Sequence, residues 1–158
     1  MGVYLNTNNQ NFTEQIQTGT YIDKTMLIEQ TNKRLNNADF KFVCISRPRR
    51  FGKSIAEDML AAYYSKGANS AELFAPYKIA KSETFGKYLN KYNVIKVDLN
   101  ARYSMWLTAP KDKRTYPFIA DVTEALTSEF RTTFSDVDFG NAISLSEYIS
   151  STAASASL

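Results

Sequence analysis

Gly52, Lys53 and Ser54 close the run Ser46-Arg47-Pro48-Arg49-Arg50-Phe51-Gly52-Lys53-Ser54, and their order suits one kind of chemistry, the capture of a phosphate chain. A phosphate chain leaving water needs its hydration replaced by inward-turned backbone N–H groups and by the positive end of a helix dipole. Gly52 lets the backbone approach without a Cβ. Lys53 supplies a mobile point charge for the outer phosphates, and Ser54 a hydroxyl for Mg²⁺. The full pattern, G-x-x-x-x-G-K-[ST], wants a first glycine at position 47, where this chain has Arg47. An arginine does not readily take the left-handed backbone a glycine takes there, so either the loop enters by another route, helped by the rigid Pro48, or it is no phosphate loop. Arg47, Arg49 and Arg50 put three guanidiniums in four residues. They suit bidentate phosphate binding, the backbone of DNA or RNA, or plain solvation on a basic loop.

Such a loop is useful only between the right elements. Phe40-Lys41-Phe42-Val43-Cys44-Ile45 precedes it, short and rich in β-branched and aromatic residues, and predicts a buried strand. Ile55, Met59, Leu60 and Tyr63 follow at helical spacing, with Gly67 just past the end as a stop. Upstream, Asp23 is placed to cap a helix carrying Leu27, Ile28, Thr31 and Leu35 and ending at Asn36-Asn37. Downstream, a short helical turn is expected at Ala71–Phe74 and a helix near Glu83–Leu89, with Ser82 as a cap. Val94–Leu99 is the second strand candidate. The stretch 100–116 has no clear period. Phe118, Val122, Leu126, Phe130 and Phe134, with Ile119, predict an amphipathic helix from Pro117 to Thr133 whose stripe is core packing. A short helix is expected over Ser144–Ile149. Helices alternating with strands predict an α/β fold, a parallel sheet flanked by helices. The organisation expected is an N-terminal arm over 1–20, docked by Tyr4, Leu5, Phe12 and Ile16, a main domain over 21–149, and a frayed low-complexity tail over 150–158.

Composition narrows the chemistry. The 158 residues are 44% hydrophobic and 22% charged, with net charge +3, the balance of an ordinary globular domain. Histidine is absent, which removes Ser-His-Asp triads, Cys-His pairs and histidine zinc sites. Cys44 is the one cysteine, so there is no intrachain disulfide framework, and its expected place is the core. Met1–Asn11 has no basic, apolar leader, and no apolar stretch approaches the length of a membrane span, so a cytoplasmic protein is expected, with no membrane partner.

The chain resembles the AAA-ATPase-like proteins of anaerobic bacteria. The resemblance rests on Met1-Gly2-Val3-Tyr4-Leu5-Asn6, Tyr21-Ile22-Asp23-Lys24-Thr25, the Ser46–Ser54 run, Leu60-Ala61-Ala62-Tyr63-Tyr64, Leu73-Phe74, Lys78-Ile79-Ala80 and Tyr92-Asn93-Val94-Ile95. In that family the missing first glycine is usual. Membership implies a P-loop NTPase fold and ATP with Mg²⁺. The contact set implied is Arg49, Arg50, Phe51, Gly52, Lys53 and Ser54, with Ser54 also the metal ligand. Relatives often carry a PD-(D/E)XK nuclease domain, and their acid-bearing strand follows the part matching Ile143-Ser144-Leu145. The resemblance therefore implies an N-terminal fragment that binds ATP but is not hydrolytically competent alone. Asp98 ends an apolar run and imitates that acid, although Lys96 interrupts the run. Two other readings stand beside this one. One is a nucleic-acid-binding module using Arg47, Arg49, Arg50 and the Lys111–Arg114 loop; the other is a truncated remnant without function.

Overall fold

The computed structural model describes residues 2–35, 37, 39–40 and 42–155. It divides into two compact units, one of residues 6–94 and one combining the first five residues with 95 onward.

In the unit of residues 6–94, α1 (Gln10–Gln17), α2 (Met26–Asn32) and α3 (Lys53–Tyr64) surround an aromatic core, with two single-turn helices, α4 (Ala71–Phe74) and α5 (Phe85–Tyr88), and a 3-10 turn at Lys78–Lys81. α1 forms inside the stretch expected to be an arm and lies on α3, with Phe12 fully buried. Phe12 stacks on Phe74 at 5.4 Å, and Tyr63 meets Phe74 and Tyr64 edge-on at 5.6 and 4.8 Å, geometries that suit the ring quadrupoles. α3 is held at its C-terminal end by Asn90. Its Nδ2 donates to the carbonyls of Ser65, Ala62 and Tyr63 at 2.9, 3.1 and 3.3 Å, and its Oδ1 accepts from Ser70 N at 2.8 Å. Those carbonyls have no partner within the helix. Asn90 reaches them from a left-handed backbone, φ +54°, which Asn tolerates better than most residues.

In the other unit, α6 (Leu99–Thr108), α7 (Phe118–Thr133) and α8 (Leu145–Ser155) pack in sequence. Leu5, Phe130, Phe139 and Tyr148 form its core. The Glu129 carboxylate accepts from the backbone N–H groups of Tyr4 and Leu5 at 3.0 and 2.8 Å, which ties the N-terminal residues to α7. Arg102 Nε donates to Asp121 at 2.7 Å, bridging α6 and α7.

The expected parallel sheet is not formed. Among the described residues there is no strand, and pairing is confined to two isolated bridges, Leu5 with Ile95 and Ser65 with Tyr92. The α/β expectation is therefore corrected to a helical fold. A strand is stabilised by its ladder, and an apolar run without a partner strand has no sheet to join. Phe42, Val43 and Ile45 carry no regular secondary structure and are exposed, Phe42 to 84%, and Cys44 is exposed rather than buried; Lys41 lies outside the described residues. The second strand candidate is divided. Ile95 makes one bridge, and Leu99 begins α6 with Asp98 as its cap, accepting from Ala101 N at 2.9 Å. Asp98 thus serves as the cap of α6. α7 starts one residue after its expected limit and ends where expected. Its buried face is Val122, Leu126 and Phe130, whereas Ile119 is exposed. α8 begins one residue after the expected start of the short C-terminal helix and continues to Ser155; the tail's last residues, 156–158, lie outside those described. Asp23 does not cap α2, whose cap position is Thr25, and Ser82 does not cap α5, whose cap position is Thr84. The expected end at Asn36 falls outside the described residues, and α2 stops earlier, at Asn32.

Candidate functional site

Gly52 is the residue from which α3 grows. It takes a left-handed backbone, φ +75°, and its carbonyl accepts the first helical bond, from Ala56 N at 3.0 Å. The N–H groups of Lys53, Ser54 and Ile55 precede that bond and point out of the helix start. Arg50 also has a positive φ, +66°, an unusual state for a long side chain that costs roughly 1–2 kcal/mol. Arg47, the position where the glycine pattern wanted this backbone, does not adopt it. Of the loop's two left-handed positions, Gly52 falls on the pattern's second glycine, and Arg50 lies three residues after the place of the first.

Lys53 closes the loop on itself. Its Nζ donates to the carbonyls of Arg47 and Pro48 at 2.7 and 3.0 Å, occupying two of the ammonium's three donors. Lys24 approaches from a distant segment, and its Nζ donates to the Phe51 carbonyl at 3.0 Å. A Cβ on Gly52 would sit 3.0 Å from the same ammonium, so Gly52 serves both the turn and the approach of Lys24.

Around these groups lies a cavity of about 640 Å³ lined by Lys24, Leu27, Cys44, Ile45, Ser46, Arg47, Phe51, Gly52, Lys53 and Ala56. No Asp or Glu is among those residues. A second hollow of about 280 Å³ lies behind Lys24, Phe51 and Gly52, and Arg50 lines it. Of the six contacts expected from sequence, Phe51, Gly52 and Lys53 line the larger cavity and Arg50 the smaller. Arg49 and Ser54 are exposed and line neither. In the other unit, Arg114 of the basic Lys111–Arg114 loop is turned onto its own helix end. It donates to the carbonyls of Ala109 and Leu107 and lies over the Trp106 ring.

The residues that sequence reasoning left without a role are in Tyr21–Thr25. Tyr21 packs edge-on against Phe12 and Tyr77 at 5.3 and 5.5 Å, and its hydroxyl accepts from Lys24 N at 3.3 Å. Thr25 is fully buried. The Asp23 carboxylate accepts from Thr25 Oγ1 and N at 2.7 and 2.9 Å and from Lys78 N at 3.1 Å. Partial burial works to raise the Asp23 carboxyl, but these hydrogen bonds outweigh it and hold the group below its ordinary 3.8. Thr25 Oγ1 in turn accepts from Ile79 N at 3.2 Å. Lys24 is thus carried on a backbone fixed on both sides, and the signal for it was the Tyr-Ile-Asp-Lys-Thr segment itself.

The start of α3 and the cations of Lys24, Arg47 and Lys53 thus meet at a cavity with no carboxylate among its described lining. The family model described as a predicted AAA-ATPase matches residues 7–156, and the chain belongs to this AAA-ATPase-like family. No curated protein and no solved structure matches it. No helix among the described residues is long and apolar enough to cross a membrane.

Proposed function

We propose that the chain binds ATP in the 640 Å³ cavity, with the phosphates at Lys53 and the N–H groups that open α3. The observation that carries this reading is the convergence of Lys24, Arg47 and Lys53 on one cavity without a carboxylate among its described lining. Leu27, Ile45 and Phe51 in the same wall give an apolar surface of the kind a nucleobase covers, and the volume is that of an ordinary ligand pocket. Membership in a family of predicted AAA-ATPases supports ATP as the anion. The strained Arg50 backbone fits a ligand clamp, where such conformations gather.

The residues present suit Mg²⁺ only in company with the nucleotide. Among the described residues no group of three or more His, Cys, Asp or Glu is placed to hold a metal. Ser54, exposed on the first turn of α3, offers a hydroxyl to an ion already held by phosphate oxygens. The reading is of binding, because no acid is among the described residues that line the cavity.

Lys53→Ala removes the ammonium that closes the loop and meets the phosphates. Titration of labelled ATP against wild type and variant is expected to show saturable binding lost in the variant. Equal affinities would reject the assignment.

A further inference from the structure

Lys24 reaches the loop from 27 residues upstream, and its ammonium stands against the Phe51 carbonyl and the Gly52 backbone. It lines both hollows and so forms part of the wall between them. Its backbone has little freedom: Tyr21 takes its N–H, and the Asp23–Thr25 hydrogen bonds join the flanking residues to Lys78 and Ile79. A lysine tethered in this way brings a charge to one place at a smaller entropy loss than a free surface lysine would suffer. The bond to Phe51 occupies one of its three donors, whereas Lys53 has two occupied by loop carbonyls. Of the two ammoniums, Lys24 is the one with more donors left for an incoming anion.

We propose that Lys24 is a second phosphate-binding residue, a cation supplied from outside the loop that grips the polyphosphate opposite Lys53 and makes the site select for phosphate charge. The inference rests on nucleotide binding at this cavity. It assigns to Lys24 a contact with ligand oxygens in addition to its bond to the loop.

Two roles must be separated, because Lys24 also holds the Phe51 carbonyl. If its work were only to hold the loop, removing it would weaken every ligand that needs the loop by one common factor. If it touches phosphate, the loss grows with ligand charge, since each added phosphate oxygen forfeits a charge-assisted bond.

The experiment compares AMP, ADP and ATP, each with Mg²⁺, on wild type, Lys24→Ala, Lys24→Gln, Lys24→Arg and the remote control Lys33→Ala, by calorimetric titration of the full chain. Thermal melts confirm that each variant is folded, and the glutamine variant stands in should the alanine variant not fold. The expected result is ATP binding weakened by on the order of tenfold to a hundredfold in Lys24→Ala and Lys24→Gln, AMP affected least, recovery in Lys24→Arg, and no change in Lys33→Ala. Equal losses for all three nucleotides, or unchanged ATP affinity, would overturn the assignment while leaving ATP binding intact. Absence of ATP binding by the wild type would instead remove the reading beneath it, and the assignment with it.

Discussion

Asp23 shows how one carboxylate organises the approach to the loop. It accepts three hydrogen bonds, two from Thr25 and one from Lys78, and they favour the ionised form more than partial burial opposes it. The folded-state pKa therefore lies below the unfolded value. The folded chain binds that proton less readily than the unfolded chain does, so the contribution is full above the ordinary carboxylate value and is lost as the pH falls through the folded one. Asp23→Asn keeps an acceptor but removes the charge. Its melting temperature is expected to lie below that of wild type near neutrality, and the gap is expected to close below about pH 4, the region of the unfolded carboxyl. A gap that stayed constant down to pH 3 would show that ionisation of Asp23 does not matter. Tyr63 and Tyr64 are the opposite case: burial pushes both hydroxyls up. They stay protonated donors, Tyr63 to the Phe85 carbonyl and Tyr64 to Asn32 Oδ1, each at 2.6 Å.

Among the elements, α3 matters most, because its start carries the loop and its end is tied elsewhere. Asn90 satisfies three of its terminal carbonyls and joins them to Ser70. Asn90→Ala removes the three side-chain bonds to those carbonyls and the one from Ser70 N, leaving Ala62 O to Ser70 Oγ, Tyr63 O to the backbone N–H at position 90 and Ser65 O to Ala68 N, and it strains a position at φ +54°. The expected cost is about 1–2 kcal/mol in urea unfolding. Asn90→Gly relieves the strain but not the lost bonds, so it should recover only part of the loss, and full recovery would assign the effect to backbone conformation. α3 and α7 were legible in the sequence because each buries a continuous face, Met59 with Tyr63 and Val122 with Leu126 and Phe130, and a period of 3.6 survives in any helix that does. α6 left no such trace because none of its residues is buried. The run from Phe40 to Ile45 has strand composition, but a strand is a property of two segments, and the local pattern carries no information about the second. The placement of Gly52 at a helix start was readable from Gly-Lys-Ser. The Tyr-Ile-Asp-Lys-Thr segment marked Lys24, but its bond to the loop was not readable, since its neighbour in space is Phe51 and no spacing rule links the two.

At the scale of the whole chain, each unit contains one residue type that occurs once. Cys44, exposed in the wall of the larger cavity, belongs to the unit of residues 6–94. Trp106 belongs to the other, where its Nε1 donates to the Thr115 carbonyl at 2.9 Å and Arg114 lies over its ring. The two side chains report separately on the two units without added labels. A nucleotide seated between Lys24, Arg47 and Lys53 covers the Cys44 thiol, because all four line the same space. ATP with Mg²⁺ is therefore expected to slow alkylation of Cys44 by iodoacetamide several-fold, with a concentration dependence equal to that of binding, and to leave Trp106 emission unchanged. Lys53→Ala should abolish the protection, judged against that variant's own unliganded alkylation rate, since Lys53 also holds the loop beside Cys44. Protection that persists in Lys53→Ala would place the ligand elsewhere on the unit. A change at Trp106 with none at Cys44 would move the binding site out of the 6–94 unit altogether, because the Trp106 ring is packed among Tyr103, Tyr116 and Phe118 of its own unit.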